Sequence, residues 1–371
     1  MARFLCLMLC MTTSVFASDP PKIPAVTTAI RFAIDAKEVP GAVTAVVTKD
    51  RLIDLQGLGF ADVESSKPMT PDSIFWIKSM TKPVTAVAVL MLQDEGKLNV
   101  EDKVAKYLPG FGDLKTPSGK AADLTIGQLL DHTSGLGEAT RGGPPVRTLA
   151  DLLPRILASP MQFEPGERWK YTQSGINMAA HLVEVVSGQP FDVFLEQRLF
   201  RPLGMKDTTF YPSGTQLDRV VTRYKKNKEA GALEAEPART DLPDRTRPPT
   251  GNDGLYSTAP DFARFAQMLL NDGQLDGPRR TDDGRVGHPA GLRRLDGAGQ
   301  QLVGDLGVPG GGDDAQGQAG RIHRLHDRRS GPAHEGCSST RGETFSGIGS
   351  ACAGGVSAGP ASVSGSMMSS R

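Results

Sequence analysis

Apolar residues along the chain follow two different spacings and then lose any spacing at all. From Ile23 to Ala36 they suit a helix, with Ala25, Ile30, Phe32 and Ile34 among them. Pro40-Gly41 marks a turn, and the valine- and alanine-rich run Ala42 to Val47 reads as a strand. Lys49-Asp50 is a second turn. Leu52 to Phe60 reads as a partner strand carrying Gly57 and Gly59. The pattern is a helix followed by a hairpin, not an alternating βαβ unit. Beyond Ser79 the helical period takes over: Met80, Val84, Val87, Ala88, Met91 and Leu92 share one stripe, and Gly96 is placed to stop the helix. Thr125 with Gln128 forms a capping-box signal for a short helix ending near Asp131. A third helix follows Tyr171 and runs to Ser187, with Gly188 as its stop. Pro190 opens a fourth through Phe191, Phe194, Leu195 and Leu199. Thr258 with Asp261 caps a fifth through Phe262, Phe265, Met268 and Leu269. The polar, proline-bearing stretch from Lys225 to Asn252 reads as a long loop.

Composition changes sharply after residue 277. Residues 278–371 hold 21 of the 43 glycines and eleven arginines but no lysine, and Phe345 is their one aromatic residue. Such a segment buries too little surface to offset chain entropy, so it is expected to be a disordered low-complexity tail. Its Arg, Gly, Ala, Ser and Pro content is also what GC-rich codons yield out of frame, which points to a frame change near Gly277. Resequencing the gene across that codon tests the idea.

At the other end, Arg3, the apolar run Phe4 to Met11 and the small residues ending at Ala17 read as a signal peptide over residues 1–17, cleaved before Ser18. The expectation is an exported protein, periplasmic or secreted. No segment is long and apolar enough to be read as a membrane span. Residues 18–336 contain no cysteine, so no disulfide framework is needed. Lys+Arg and Asp+Glu both number 42, a balance that argues against a nucleic-acid partner, which needs a basic excess.

Chemistry concentrates at Ser79-Met80-Thr81-Lys82, the one S-x-x-K in the chain. With Ser79 at the start of a helix, Lys82 lies one turn on and on the same face. A serine hydroxyl needs a base to act as a nucleophile. A lysine can serve where burial and the helix N-terminus favour its neutral form. Alone, a pattern with two free positions is better explained by a surface lysine beside a capping serine.

Further segments follow in order. They are Phe75 to Lys82; Leu129-Leu130-Asp131-His132-Thr133-Ser134-Gly135-Leu136; Pro165-Gly166-Glu167-Arg168-Trp169-Lys170-Tyr171-Thr172-Gln173; Pro202-Leu203-Gly204-Met205; and Gly254-Leu255-Tyr256-Ser257-Thr258-Ala259. In this series the chain resembles the class C β-lactamase, D-Ala carboxypeptidase and family VIII esterase group of serine hydrolases, over roughly residues 25–277. The resemblance implies an α/β fold of the β-lactamase/penicillin-binding-protein type: a mixed or antiparallel sheet domain and a mostly helical domain, together spanning residues 18–277. It implies Ser79 as the acylating nucleophile, Lys82 as acceptor or relay of its proton, and Tyr171 as the residue that hands a proton to the leaving group. Gln173 stands where the group usually has asparagine and is implied to bind substrate. His132 is implied to be structural. No cofactor or metal is expected, and the implied substrate is a small ester, a β-lactam or a D-Ala peptide, with a lean towards the ester. A non-catalytic, penicillin-binding-like protein is the rival reading.

The group's third element, a strand carrying K-T-G, H-x-G or W-G-G, has no counterpart except His334-Glu335-Gly336, which lies in the tail without strand residues around it. Loss of an oxyanion donor costs on the order of 10²–10³ in rate. A hairpin without sheet neighbours is marginal in water, so the chain as written is expected to be destabilised and prone to aggregate.

Overall fold

A computed structural model describes residues 22–227 and 229–275 of the chain. All belong to one compact unit. The expected signal peptide, the expected disordered tail and His334-Glu335-Gly336 lie outside the described residues.

Helix α1 (Pro24–Asp35) opens on a proline, whose fixed φ and missing N–H suit the first turn. It leads into β1 (Gly41–Val47) and β2 (Leu52–Asp62), an antiparallel pair in which Gly41 faces Gly59 and Thr44 faces Gln56. The short β3 (Lys67–Pro68) extends the sheet on the far side of β2. Glycine is required at position 57 because a Cβ there would lie 2.4 Å from the carbonyl oxygen of Met69.

The hairpin was legible in the sequence, but its polar residues are not all on a solvated face. Asp54 is fully buried. Its carboxylate accepts from the backbone N–H of Ile23, the Thr44 hydroxyl and the Gln56 amide, each at 2.8 Å. Thr27 of α1 donates to Gln56 at 2.8 Å. No residue of α1 is fully buried, so these polar bonds do much of the work of fastening the helix to the sheet.

A two-residue strand β4 (Phe75–Trp76) precedes α2 (Thr81–Asp94). Helix α2 is buried along nearly its whole length, from Thr81 to Leu92, and is the centre of the core. It packs on α5 (Ser174–Ser187), which in turn contacts α3 (Ile126–Leu130) and α6 (Phe191–Leu195), and Ile156 of α4 (Leu153–Leu157) joins the same apolar cluster. A π-helical turn, Glu196–Phe200, joins α6 to α7 (Arg201–Leu203). The capping box expected at Thr125 and Gln128 is formed in both directions. Gly188 ends α5 in the left-handed region at φ 72°.

The stretch expected to be one long loop contains a hairpin, β5 (Tyr224–Asn227) paired with β6 (Ala232–Ala235). Its strands are four residues each, none of them buried, with Lys225, Lys226, Glu234 and Ala235 exposed, so no apolar alternation announced them. Strand β7 (Tyr256–Ser257) then pairs with β4, and α8 (Ala259–Leu270) follows. Thr258 accepts from the N–H of Asp261 as the cap. Helix α8 packs on β1, where Gln267 donates to the carbonyl of Thr48 at 3.0 Å and Asn271 to that of Lys49 at 2.6 Å.

Candidate active site

Three pieces of chain meet at Ser79: the entry to α2, the segment before α5, and the segment 251–255 before β7. Ser79 sits in a 3-10 turn, Lys78–Met80, and the α-helix proper begins at Thr81. The sequence expectation put Ser79 in the first α-helical turn; the observed turn is tighter and comes just before it. Lys78 adopts φ 47°, a left-handed conformation uncommon for a residue with a Cβ. A strained residue next to a reactive one is where such a cost is often tolerated.

Lys82 is completely buried. Its ammonium donates to Ser79 Oγ at 3.1 Å and to the carbonyl oxygen of Asn252 at 3.0 Å. The same Nζ lies 4.6 Å from the centre of the Tyr171 ring. The Tyr171 hydroxyl donates to Ser79 Oγ at 2.8 Å. The structure therefore brings Ser79, Lys82 and Tyr171 together around one oxygen.

Gln173 is the N-cap of α5 and lies close by. Its backbone N–H is held by the Glu138 carboxylate at 3.0 and 3.2 Å. Its side-chain carbonyl accepts from the Asn252 amide at 3.0 Å. Sequence reasoning missed Asn252, which ties Lys82 and Gln173 to one residue through its main chain and its side chain. The signal was present only as an unremarkable Gly251-Asn252-Asp253 turn.

That turn is clamped to α2. Thr85 donates to the carbonyl of Gly251 at 2.7 Å, and Thr81 accepts from the N–H of Leu255 at 3.2 Å. Gly251 permits the approach, since a Cβ there would come within 2.7 Å of the Ala180 Cβ and 2.9 Å of the Ile176 carbonyl.

His132 stands behind the phenol, its ring centre 4.7 Å from that of Tyr171. It is buried, takes φ 64°, and its Nδ1 accepts from the N–H of Thr172 at 3.4 Å. Burial, aided by the charge of Lys82, pulls the imidazole down to about 4. The ring is thus neutral at physiological pH and contacts the aromatic face of Tyr171, not Ser79. Trp169, edge-on to His132 at 6.0 Å, is half exposed. With Met80 and Tyr171 it gives the nucleophile an apolar, solvent-facing rim. Among the described residues, no group of three or more His, Cys, Asp or Glu side chains is arranged to hold a metal ion.

The arrangement can polarise a hydroxyl and move its proton. Comparison with known proteins gives the chain a context. The family model described as Beta-lactamase matches residues 26–318. An uncharacterized protein of Mycobacterium tuberculosis is 32% identical over 277 residues, covering 67% of this chain and 67% of its own length. The esterase EstB of Burkholderia gladioli is 28% identical over 267 residues, covering 64% of this chain and 67% of its own. Among solved structures, EstCE1, described as a hydrolase with promiscuous acyltransferase activity, superposes with a TM-score of 0.61 at 23% identity, over 72% of this chain and 74% of its own.

Proposed function

Because the chain belongs to the β-lactamase family of serine hydrolases, we propose that it hydrolyses small carboxylic esters through an acyl-enzyme at Ser79. The observation that carries the reading is the pair of contacts on Ser79 Oγ, 2.8 Å from the Tyr171 hydroxyl and 3.1 Å from Lys82 Nζ. Either partner, once deprotonated, is within reach of the serine proton. Ser79 Oγ then bonds to the ester carbonyl carbon while its proton passes to Lys82 or Tyr171. Collapse of the tetrahedral intermediate breaks the ester C–O bond, and Tyr171 returns the proton to the departing alkoxide. Water attacks the acyl-enzyme in a second round, releasing the acid and restoring Ser79.

The preference for an ester rests on two features. The carbonyl of the Gln173 side chain already accepts from Asn252, so one of its two lone pairs is taken and a substrate amide would have to share that oxygen. The rim of Met80, Trp169 and Tyr171 is apolar and exposed, which suits an uncharged acyl or alkoxy group. We also take the protein to be exported; a mature form starting at Ser18 in the periplasm or medium is the expected result of N-terminal sequencing.

The test is to treat the folded protein with a fluorophosphonate probe beside Ser79→Ala. Labelling of the Ser79 peptide, absent in the variant, followed by turnover of p-nitrophenyl butyrate over nitrocefin, is the expected outcome. Turnover of nitrocefin alone makes the protein a β-lactamase. No labelling of a folded sample favours a non-catalytic, penicillin-binding-like role.

A further inference from the structure

Away from Ser79, the β4–β7 pair forms the back wall of a cavity of about 440 Å³. That volume falls within the roughly 300–1,000 Å³ usual for small-molecule sites. Trp76 and Tyr256 stack there with ring centres 6.4 Å apart and planes at 17°. Leu242 and Val220 complete an apolar floor, and Leu242 and Tyr256 are almost fully buried. Three cations lie against the Trp76 ring: Lys78 Nζ at 5.0 Å, outside the cavity lining, and the guanidinium carbons of Arg223 and Arg239, which line the cavity, each 5.4 Å from the ring centre. Neither Ser79, Lys82 nor Tyr171 lines the cavity.

We propose that this cavity is a binding site for a small aromatic carboxylate, separate from the Ser79 centre. The stacked rings and aliphatic floor accept a flat apolar body by burying its faces. The arginines supply what such a floor lacks, a partner for an anion. Arg239 holds Asp241 through Nε at 3.0 Å and Nη2 at 2.8 Å, while Arg223 pairs with Glu236 at 3.2 Å and donates to the Pro237 carbonyl at 3.1 Å. A guanidinium carries five N–H donors, so each retains donors for a second acceptor. Their partners Glu236 and Asp241 are themselves substantially exposed, where water screens the pairing and leaves it exchangeable. The two pairs also hold the guanidinium planes over the indole before a ligand arrives, which lowers the ordering cost of binding.

The test uses the full chain and 1-naphthoate as probe in equilibrium dialysis, with 1-naphthylmethanol as its uncharged counterpart. Saturable binding of about one naphthoate per chain is expected, with the alcohol binding at least about tenfold more weakly, as befits loss of a charge-assisted hydrogen bond. Arg239→Ala is expected to weaken naphthoate binding by at least about tenfold. Ala238, exposed on the cavity wall, gives a second variant: Ala238→Trp fills the cavity from its rim without disturbing the core and is expected to abolish binding. Circular dichroism checks that both variants fold. No saturable binding to the folded protein up to the solubility limit overturns the proposal. So does equal affinity for acid and alcohol, or binding unchanged by both substitutions, which places the naphthoate elsewhere on the molecule.

Discussion

Ser79 Oγ accepts from a buried ammonium and from a half-exposed phenol, and the two are not equivalent. Lys82 is locked between Ser79 and the Asn252 carbonyl, whereas Tyr171 reaches solvent, which under the proposed mechanism leaves it free to protonate a leaving group. Lys82→Ala is therefore expected to slow fluorophosphonate labelling by roughly 10²–10⁴, the usual worth of a positioned proton-transfer group. Tyr171→Phe should slow p-nitrophenyl butyrate turnover by about 10² or more. Stopped assays on both variants, with matching circular dichroism spectra, check this. His132 makes a different kind of contribution. Its folded value of about 4 lies below the ordinary 6.5. Between those pH values the unfolded chain binds a proton that the folded chain does not, so stability falls as pH is lowered from about 6.5 to about 4, by up to ~1.4 kcal/mol per unit. Above that window the group adds no pH dependence. Urea midpoints at about pH 7.5 and about pH 5 should show the loss, and His132→Gln should reduce the difference between them.

At the scale of elements, the site depends on how closely segment 251–255 can lie on α2 and α5. Two threonines on α2, Thr81 and Thr85, hold that segment by its backbone, and Gly251 leaves the room. Gly251→Ala forces a methyl group against Ala180 and the Ile176 carbonyl. Overpacking of this kind costs about 1–3 kcal/mol, and the relief available is to push the segment outward, taking the Asn252 carbonyl away from Lys82. Loss of labelling at Ser79 larger than the loss of stability is the expected outcome, read from labelling rates and urea midpoints together. A substitution that lowered the midpoint and left labelling intact would show that the carbonyl is dispensable. Fold reading fared unevenly at this scale. Helices α2, α3, α5, α6 and α8 were visible as apolar stripes and caps, because a helix that packs on a core must write its buried positions at a regular spacing, whereas the five-residue α4, with no side-chain cap, gave no such signal. The β5–β6 hairpin was not, because its two four-residue strands bury no residue and so write no apolar face.

For the whole molecule, stability is spread unequally. The helices α2, α3, α5 and α6 share one buried apolar cluster, while α1 contributes no fully buried residue and leaves Phe32 75% exposed. Amide exchange should therefore be slowest along α2 and α5 and fastest in α1 and the β5–β6 hairpin. Asp54 carries much of the attachment of α1, and hydrogen bonds to a charged acceptor are each worth about 1.5–3 kcal/mol. Asp54→Ala is expected to raise exchange across residues 24–35 while α2 stays protected. Mass spectrometry of exchanged peptides distinguishes this local release from global unfolding.

Much of this protein was determined by short-range sequence. Ser79 and Lys82 had to meet, because three residues of helical chain bring them to one face, and the ordered segments around Tyr171 and Tyr256 identified the family that its matches support. The helix caps at Thr125 and Thr258 were equally local, since a side chain there bonds the backbone three residues on. Only the tertiary structure decided the rest. Tyr171 lies 92 residues from Ser79, and Asn252 170 residues from Lys82, so no spacing rule links them. Nothing in the strand pattern marked Asp54 as buried, and its carboxylate is satisfied by Ile23, Thr44 and Gln56 only once the hairpin and the start of α1 are in place. The Trp76 cavity draws Arg239 from the stretch that read as a long loop and Arg223 from just before it. In each case a deciding contact joins segments distant in sequence, and polar residues announce their burial only when the groups that satisfy them are in place.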